Sequence, residues 1–200
     1  MSVLLKKISG VILAAGLASR MGTPKQLLPF KGMLLPDHVI NSAKKSNLHE
    51  IIVVLGHCAD EICLNIDLSG TKTVINNEYL NGQSTSVIKG IEKVSKVCDA
   101  AMFLLADQPL ITPDIINKII RAFEINQKPI AIPYYGKTRG NPVIIDKSLF
   151  HDLRSLTSDT APRILFKNKK SSIIKVAISD KSILIDVDTK DDYKKLISKY

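Results

Sequence analysis

The stretch VILAAGLASRMGTPKQLLPFKG, residues 11–32, decides how this chain reads. It opens as an unbroken apolar run, breaks into glycine, and then places Arg20 and Lys25 in a segment too irregular for a helix. Glycine lets backbone N–H groups come close to a ligand and the two cations supply charge, so the ingredients of an anion-binding loop follow the first strand. A plain strand-to-helix loop with surface cations has the same composition, and a glycine loop alone is a weak signal. Two standard phosphate loops fail here. The dinucleotide pattern G-x-G-x-x-G meets Ala18 and Met21 where it needs glycine, and the P-loop pattern fails because five residues separate Gly16 from Gly22 and no Gly-Lys-Ser/Thr follows.

Outward from this loop, short apolar runs alternate with helical patterns. ISGVILAA (8–15), EIIVVLG (50–56), TKTVINN (71–77), AAMFLLA (100–106) and PIAIPYY (129–135) read as strands. Between them, PDHVINSAKK (36–45), STSVIKGIEKV (84–94) and ITPDIINKIIRAF (111–123) carry apolar residues at helical spacing, the last with Thr112 as N-cap and Pro113 in its first turn. Such alternation predicts a single α/β domain over residues 1–200, a Rossmann-like three-layer α/β/α arrangement with a mainly parallel sheet. YYGKTRGNPVIID (134–146) breaks the rhythm and reads as a hairpin around Gly136 to Gly140, where open α/β sheets place substrate sites. SSIIKVAI and SILIDVDT read as closing strands, with a last helix from about Thr189.

The composition narrows the partners. The 200 residues carry a formal net charge of +9. The lysines are scattered, the densest group lies near Lys167, Lys169 and Lys170, and no aromatics interleave with them as a nucleic-acid stacking platform requires. The charge therefore reads as a solvated lysine surface, or as a field that attracts a small phosphorylated substrate, and not as a nucleic-acid footprint. No apolar run reaches the roughly 18–20 residues of a membrane span, and the start MSVLLKKISG has no cleavage-like site. Three cysteines without a C-x-x-C pair fit the reducing cytoplasm, and the plain expectation is a monomer. His57-Cys58 could be a metal-site fragment, but no second pair lies near it in sequence, and loop or core is the simpler reading.

The stretch L-A-A-G-x-x-x-R-M-G-x-x-K resembles the signature of the molybdenum cofactor nucleotidyltransferases, within the larger glycosyltransferase-A-like nucleotidyltransferase fold. Ala15 and the continuation PKQLLPFKG resemble the cytidylyltransferase branch; the guanylyltransferase branch reads L-A-G-G. Further landmarks follow in family order: NNEYLNGQSTSVIKGI (76–91), LLADQPLIT (104–112), RGNPVII (139–145) and IDVDTKDDY (185–193). One segment departs. The family carries Gly-Asp-x-Gly-Ala-Arg before a late helix, whereas SDTAPR (158–163) keeps Asp159 and Arg163 and has Ser158 and Ala161 in place of the glycines. That segment also reads as a helix start, with Asp159 as cap and Pro162 in the first turn.

The resemblance implies transfer of CMP from CTP to the terminal phosphate of a phosphorylated pterin, with release of pyrophosphate. Leu13, Ala14, Ala15, Gly16 and Gly22 would cradle the nucleotide, Arg20 would face the leaving pyrophosphate, and Lys25 would sit near the α-phosphate. Gly82, Ser84 and Ala106 would complete the nucleotide site, and Asn141, Asp159 and Arg163 would hold the acceptor. Asp107 ends a strand before Gln108-Pro109, and Asp186 and Asp188, two residues apart on an expected strand, would share one face. A hard Mg²⁺ or Mn²⁺ wants one or two such carboxylates, so Asp107 with Asp186 or Asp188 is the expected metal set; Asp188 also reads as a turn residue before Thr189. A molybdenum hydroxylase or its chaperone is the implied protein partner. Alternatives are cytidylyl or uridylyl transfer to another small phosphate, such as a sugar or isoprenoid precursor, and a non-catalytic nucleotide-binding accessory protein.

Overall fold

In the computed structural model, which describes residues 5–17, 24–155, 166 and 172–200, the alternating runs become one mixed sheet. Its strands are β1 (Ile8–Ala14), β4 (Glu50–Leu55), β5 (Lys72–Ile75), β6 (Ala100–Leu105), β7 (Ile130–Tyr135), β8 (Thr138–Arg139), β9 (Val143–Asp146) and β10 (Ile173–Ala177). The order is β10-β7-β9-β6-β1-β4-β5, with β8 paired to β7. A separate hairpin joins β2 (Pro29–Phe30) to β3 (Met33–Leu34). Helices α1 (Leu35–Lys44), α2 (Ala59–Asn65) and α4 (Pro113–Ile125) cover one face of the large sheet. The other face carries α3 (Gln83–Lys93) and α5 (Phe150–Arg154), and α6 (Lys190–Lys199) closes the chain.

The continuous apolar runs have a simple cause. Successive strand side chains point to opposite faces, so a strand covered on both sides must be apolar at every position. In β1, Ile8, Ile12 and Ala14 enter the core beneath α1 and α4, while Val11 enters the core beneath α3. β4 divides the same way, with Ile51, Val53 and Leu55 on one face and Ile52 and Val54 on the other. Thr112 caps α4 as expected, accepting from the Ile115 N–H, with Pro113 in the first turn. No helix among the described residues is long and apolar enough to cross a membrane.

The mainly parallel sheet carries one reversal, and one expectation is corrected. The sheet is parallel through β5, β4, β1 and β6, but β9 runs antiparallel between β6 and β7. The link from β7 to β9 is a short hairpin, and so short a connection can only reverse the chain, whereas a parallel return needs a long crossover. SILIDVDT is not a strand. The side chain of Asp180 accepts from the Ser182 N–H at 2.8 Å and starts a 3₁₀ turn over Lys181–Leu184. The residues beyond it then cross the carboxyl edge of the sheet as loop, where the Val187 N–H donates to the Asp107 carbonyl at 3.1 Å. The apolar side chains of this segment still serve packing: Ile183 joins the main core, and Val187 packs with Phe30, Leu35 and Leu196.

At the opposite edge, Glu50 accepts from the Ser9 hydroxyl at 2.5 Å, the Ser95 N–H at 2.8 Å and Lys72 Nζ at 2.6 Å. Burial raises the carboxyl pKa, but the bonds from Lys72, Ser9 and Ser95 outweigh it and bring it from 4.5 to about 2. A carboxyl depressed on folding stabilises the fold above its unfolded pKa and loses that contribution as pH falls toward its folded one. Glu50→Gln is therefore expected to cost about 1–3 kcal/mol at neutral pH, the range for hydrogen bonds to a charged group. Denaturant titrations of the two proteins should converge between pH 4.5 and about 2. A constant difference across that window would reject the assignment.

Candidate functional site

At the carboxyl ends of β1 and β6 the sheet opens into a cleft of about 470 Å³. It forms because β1 ends at Ala14 and the backbone groups beyond it need partners outside the sheet. Gln26, only 3% exposed, supplies two of them: its Nε2 donates to the carbonyls of Ala14 and Gly16, both at 3.0 Å. Its Oε1 is buried without a partner. The first loop is thus tied back to the residue that directly follows Lys25.

Lys25 projects between two carboxylates. Its Nζ donates to Asp107 and, at 2.8 Å, to Asp188. Burial opposes the lysine charge, but Asp107 and Asp188 outweigh it and hold the pKa above the ordinary 10.5. Burial pushes Asp107 up, against the pull of Lys25, and its Oδ1 is buried without a partner. Asp186 also lines the cleft, and burial together with repulsion from Asp107 and Asp188 raises its pKa. Among the described residues, three carboxylates therefore face one ammonium.

One wall of the cleft comes from the start of α3. Gly82 precedes the helix at φ +100°, a conformation that glycine adopts without strain. The Thr85 hydroxyl donates to the Gly82 carbonyl at 2.8 Å. Asn76 ties the helix start to the end of β5: its Nδ2 donates to Thr85 Oγ1 at 2.8 Å and to Ser86 Oγ at 2.9 Å. The other wall is the β7–β8 hairpin and its continuation. Gly140 fits there because a Cβ would lie 2.5 Å from the Ile183 carbonyl oxygen. The next residue, Asn141, donates its N–H to that same oxygen at 3.1 Å.

Of the sequence-predicted residues, Leu13, Ala15, Gly16, Lys25, Gly82, Ala106, Asp107, Asn141, Asp186 and Asp188 line this one cleft. Ala14 is buried behind it and contributes its carbonyl to Gln26. Ser84 is buried in α3 away from the lining, and Ser86, two residues on, lines it instead. Arg20, Gly22, Asp159 and Arg163 lie outside the described residues. Thr189 caps α6 in a reciprocal pair with Asp192, so Asp188 is both a pre-helix residue and a cleft residue. His57 and Cys58 follow β4 as a loop, with the His57 ring edge-on to Tyr79, and no group of three or more His, Cys, Asp or Glu side chains among the described residues forms a ready metal cage.

Gln26, Tyr79, Ser86, Arg139 and Phe166 are cleft residues that the sequence did not single out. Gln26 and Arg139 sit inside segments that had drawn attention, PKQLLPFKG and RGNPVII, but an amide or arginine there carries no spacing rule of its own. Phe166 is too far along the chain for any local pattern to link it to the cleft.

A mainly parallel sheet with a lysine and clustered carboxylates at the carboxyl ends of its strands sets a polar cleft where open α/β proteins bind ligands. The chain belongs to the MobA-like NTP transferase domain family, which it matches over residues 10–173. It is 27% identical to the nicotine blue oxidoreductase of Paenarthrobacter nicotinovorans, over 95% of this chain and 96% of that one. It is also 27% identical to the molybdenum cofactor cytidylyltransferase of Escherichia coli, over 93% of each chain. The crystal structure of Rv0371C in complex with manganese, from Mycobacterium tuberculosis H37Rv, superposes with a TM-score of 0.85 at 26% identity, covering 97% of this chain and 100% of that one.

The tight approach at Gly140 carries a direct expectation. Gly140→Ala should lower stability by about 1–3 kcal/mol, the usual range for overpacking, because the added Cβ meets the Ile183 backbone oxygen most closely, with the base of that side chain beside it. Chemical unfolding of the two proteins measures it. An unchanged midpoint would show that the Gly140–Ile183 contact is looser than described.

Proposed function

We propose that this protein transfers CMP from CTP to the terminal phosphate of a molybdopterin-type cofactor, releasing pyrophosphate. The observation that carries the reading is the convergence of the first loop, Lys25 and the three aspartates in one cleft. The family match and the full-length likeness to a molybdenum cofactor cytidylyltransferase support it.

In this reaction an oxygen of the acceptor phosphate attacks the α-phosphorus of CTP, the bond from that phosphorus to the β-phosphate bridge breaks, and pyrophosphate leaves. Such transfers depend on positioning and charge neutralisation more than on covalent help. The loop clamped by Gln26 presents backbone at the nucleotide, and Gly82 and Ser86 form the opposite wall. Lys25 serves as a compact charge for the α-phosphate once phosphate oxygens compete with Asp107 and Asp188 for it. Arg20, placed by sequence alone, is assigned to the leaving pyrophosphate.

The cluster also fits a divalent cation. Its donors are hard carboxylate oxygens, Asp107 Oδ1 is buried without a partner, and among the described residues negative charge exceeds positive. Asp107 with Asp186 or Asp188 would hold Mg²⁺ or Mn²⁺, which supplies charge neutralisation on a triphosphate when bound. The manganese complex of the Rv0371C relative supports this reading. The reaction chemistry places the protein with soluble phosphorylated intermediates, and a molybdenum hydroxylase or its chaperone is the natural recipient of the product.

A second reading rests on the likeness to a protein named as an oxidoreductase: the same loop would then hold the phosphates of a redox dinucleotide. One experiment separates the two. The protein is incubated with CTP or GTP, Mg²⁺ and molybdenum cofactor, with pyrophosphate release and the mass of the product as readouts. A cytosine dinucleotide with CTP preferred is expected. A GTP preference moves the chain to the guanylyl branch, and no product together with oxidation of reduced nicotinamide nucleotide favours the redox reading. In the active system Lys25→Ala should lower kcat about 10²–10³-fold, the range for loss of one transition-state contact, with a smaller change in the KM for CTP. Near-normal kcat would remove Lys25 from this role.

A further inference from the structure

The cleft has two cationic side chains among its described lining residues, Lys25 and Arg139. Lys25 is engaged by Asp107 and Asp188 on the strand-end side. Arg139 enters from the β7–β8 hairpin, opposite the first loop in the strand order, with β6 and β9 between. Its guanidinium carbon stands 5.0 Å from the centre of the Phe166 ring. Phe166 is itself only 7% exposed, so the platform under the guanidinium is packed in the core.

The backbone that carries Arg139 is fixed on both sides. Arg139 pairs with Tyr134 in the hairpin, and the next residue, Gly140, donates its N–H to the Pro133 carbonyl at 2.9 Å. Asn141 is held to Ile183, a few residues before Asp186 and Asp188. The hairpin is therefore anchored to the same segment that delivers the carboxylates. Stacking uses the flat face of a guanidinium, and its in-plane N–H groups are the ones that bind a phosphate bidentately.

We propose that Arg139, seated over the Phe166 ring, is the phosphomonoester contact on the acceptor side of the cleft. This rests on the nucleotidyl-transfer reading for its role in turnover, because only there must an acceptor phosphate be brought up to the α-phosphorus. It divides the cleft's cations by task. Lys25 serves the nucleotide, and Arg139 holds the anionic group that attacks it. A lysine at 139 would keep the charge and lose the fork and the stacking geometry, so charge and shape are separable by mutation.

The test begins with binding, which does not require turnover. Phenyl phosphate is titrated calorimetrically into the wild-type protein, Arg139→Gln and Arg139→Lys, with and without CTP, after thermal unfolding shows that each variant is folded. The expected result is a loss of phenyl phosphate affinity of at least about tenfold in Arg139→Gln, corresponding to one charge-assisted contact. Arg139→Lys should retain part of the affinity, and CTP affinity should stay within about twofold in both variants. Phe166→Leu should weaken phenyl phosphate binding less than Arg139→Gln does. In the turnover assay with molybdenum cofactor, Arg139→Gln should raise the acceptor KM by a similar factor with the KM for CTP unchanged. Equal phenyl phosphate affinity in wild type and Arg139→Gln overturns the proposal, as does a loss of CTP affinity as large as the loss of phenyl phosphate. Arg139-dependent phosphate binding in a protein that releases no pyrophosphate would sink the transfer reading and leave the phosphate site standing.

Discussion

β1 is buried on both faces and paired on both edges, and the site follows from that constraint. Its neighbours β4 and β6 take up its backbone groups in register, and its side chains fill the cores above and below the sheet. Polar chemistry has no place along such a strand, because a buried group without a partner costs free energy. It can appear only where the strand ends. At that end the carbonyls of Ala14 and Gly16 are met by one buried glutamine, and the Ala106 N–H returns to the Leu13 carbonyl at 3.2 Å. The loops after β1 and β6 are thereby stitched together, and Lys25 and Asp107 come within bonding distance across 82 residues of chain.

The resulting cluster is poorly explained as a device for stability. Burying charge is expensive, and a buried ion pair seldom stabilises more than a well-packed apolar pair would. Here Lys25 and Asp107 are largely buried while Asp186 and Asp188 reach solvent, and among the described residues these carboxylates face a single lysine, with one oxygen of Asp107 unpartnered. Clusters of this kind, with mutually perturbed groups in a cleft, are characteristic of sites that bind or transform a charged ligand. A polyphosphate with its counter-cation would satisfy both signs at once.

The second half of the molecule is built on a reversal. Because β7 turns back through a hairpin, β9 is forced antiparallel into the sheet between β7 and β6, and the hairpin carries Arg139 and Asn141 to the cleft's second wall. A purely parallel arrangement would have spent a helix on that connection and left this wall open. Gly140 makes the closure possible by letting the hairpin backbone lie directly against Ile183.

Much of this was legible in the amino-acid sequence. Period and composition located the strands and the main helices, since a strand covered on both faces has to be apolar throughout and an amphipathic helix has to repeat near every 3.6 residues. The first loop, Lys25 and Asp107 stood out because each is a local break in an apolar run. Three things were decided only by tertiary structure. The place of β9 between β6 and β7 is not written in its local sequence, and SILIDVDT has strand periodicity but becomes a turn and loop because the local bond from Ser182 to Asp180 and the long-range bond from Val187 to Asp107 satisfy its backbone better than an added edge strand. Gln26, Arg139 and Phe166 join the site through contacts distant in sequence, and no residue pattern encodes a distance between a glutamine and two carbonyls ten and twelve residues before it. Local sequence determines what each segment prefers; which polar atoms end up facing one another is settled by the packing of all the segments at once.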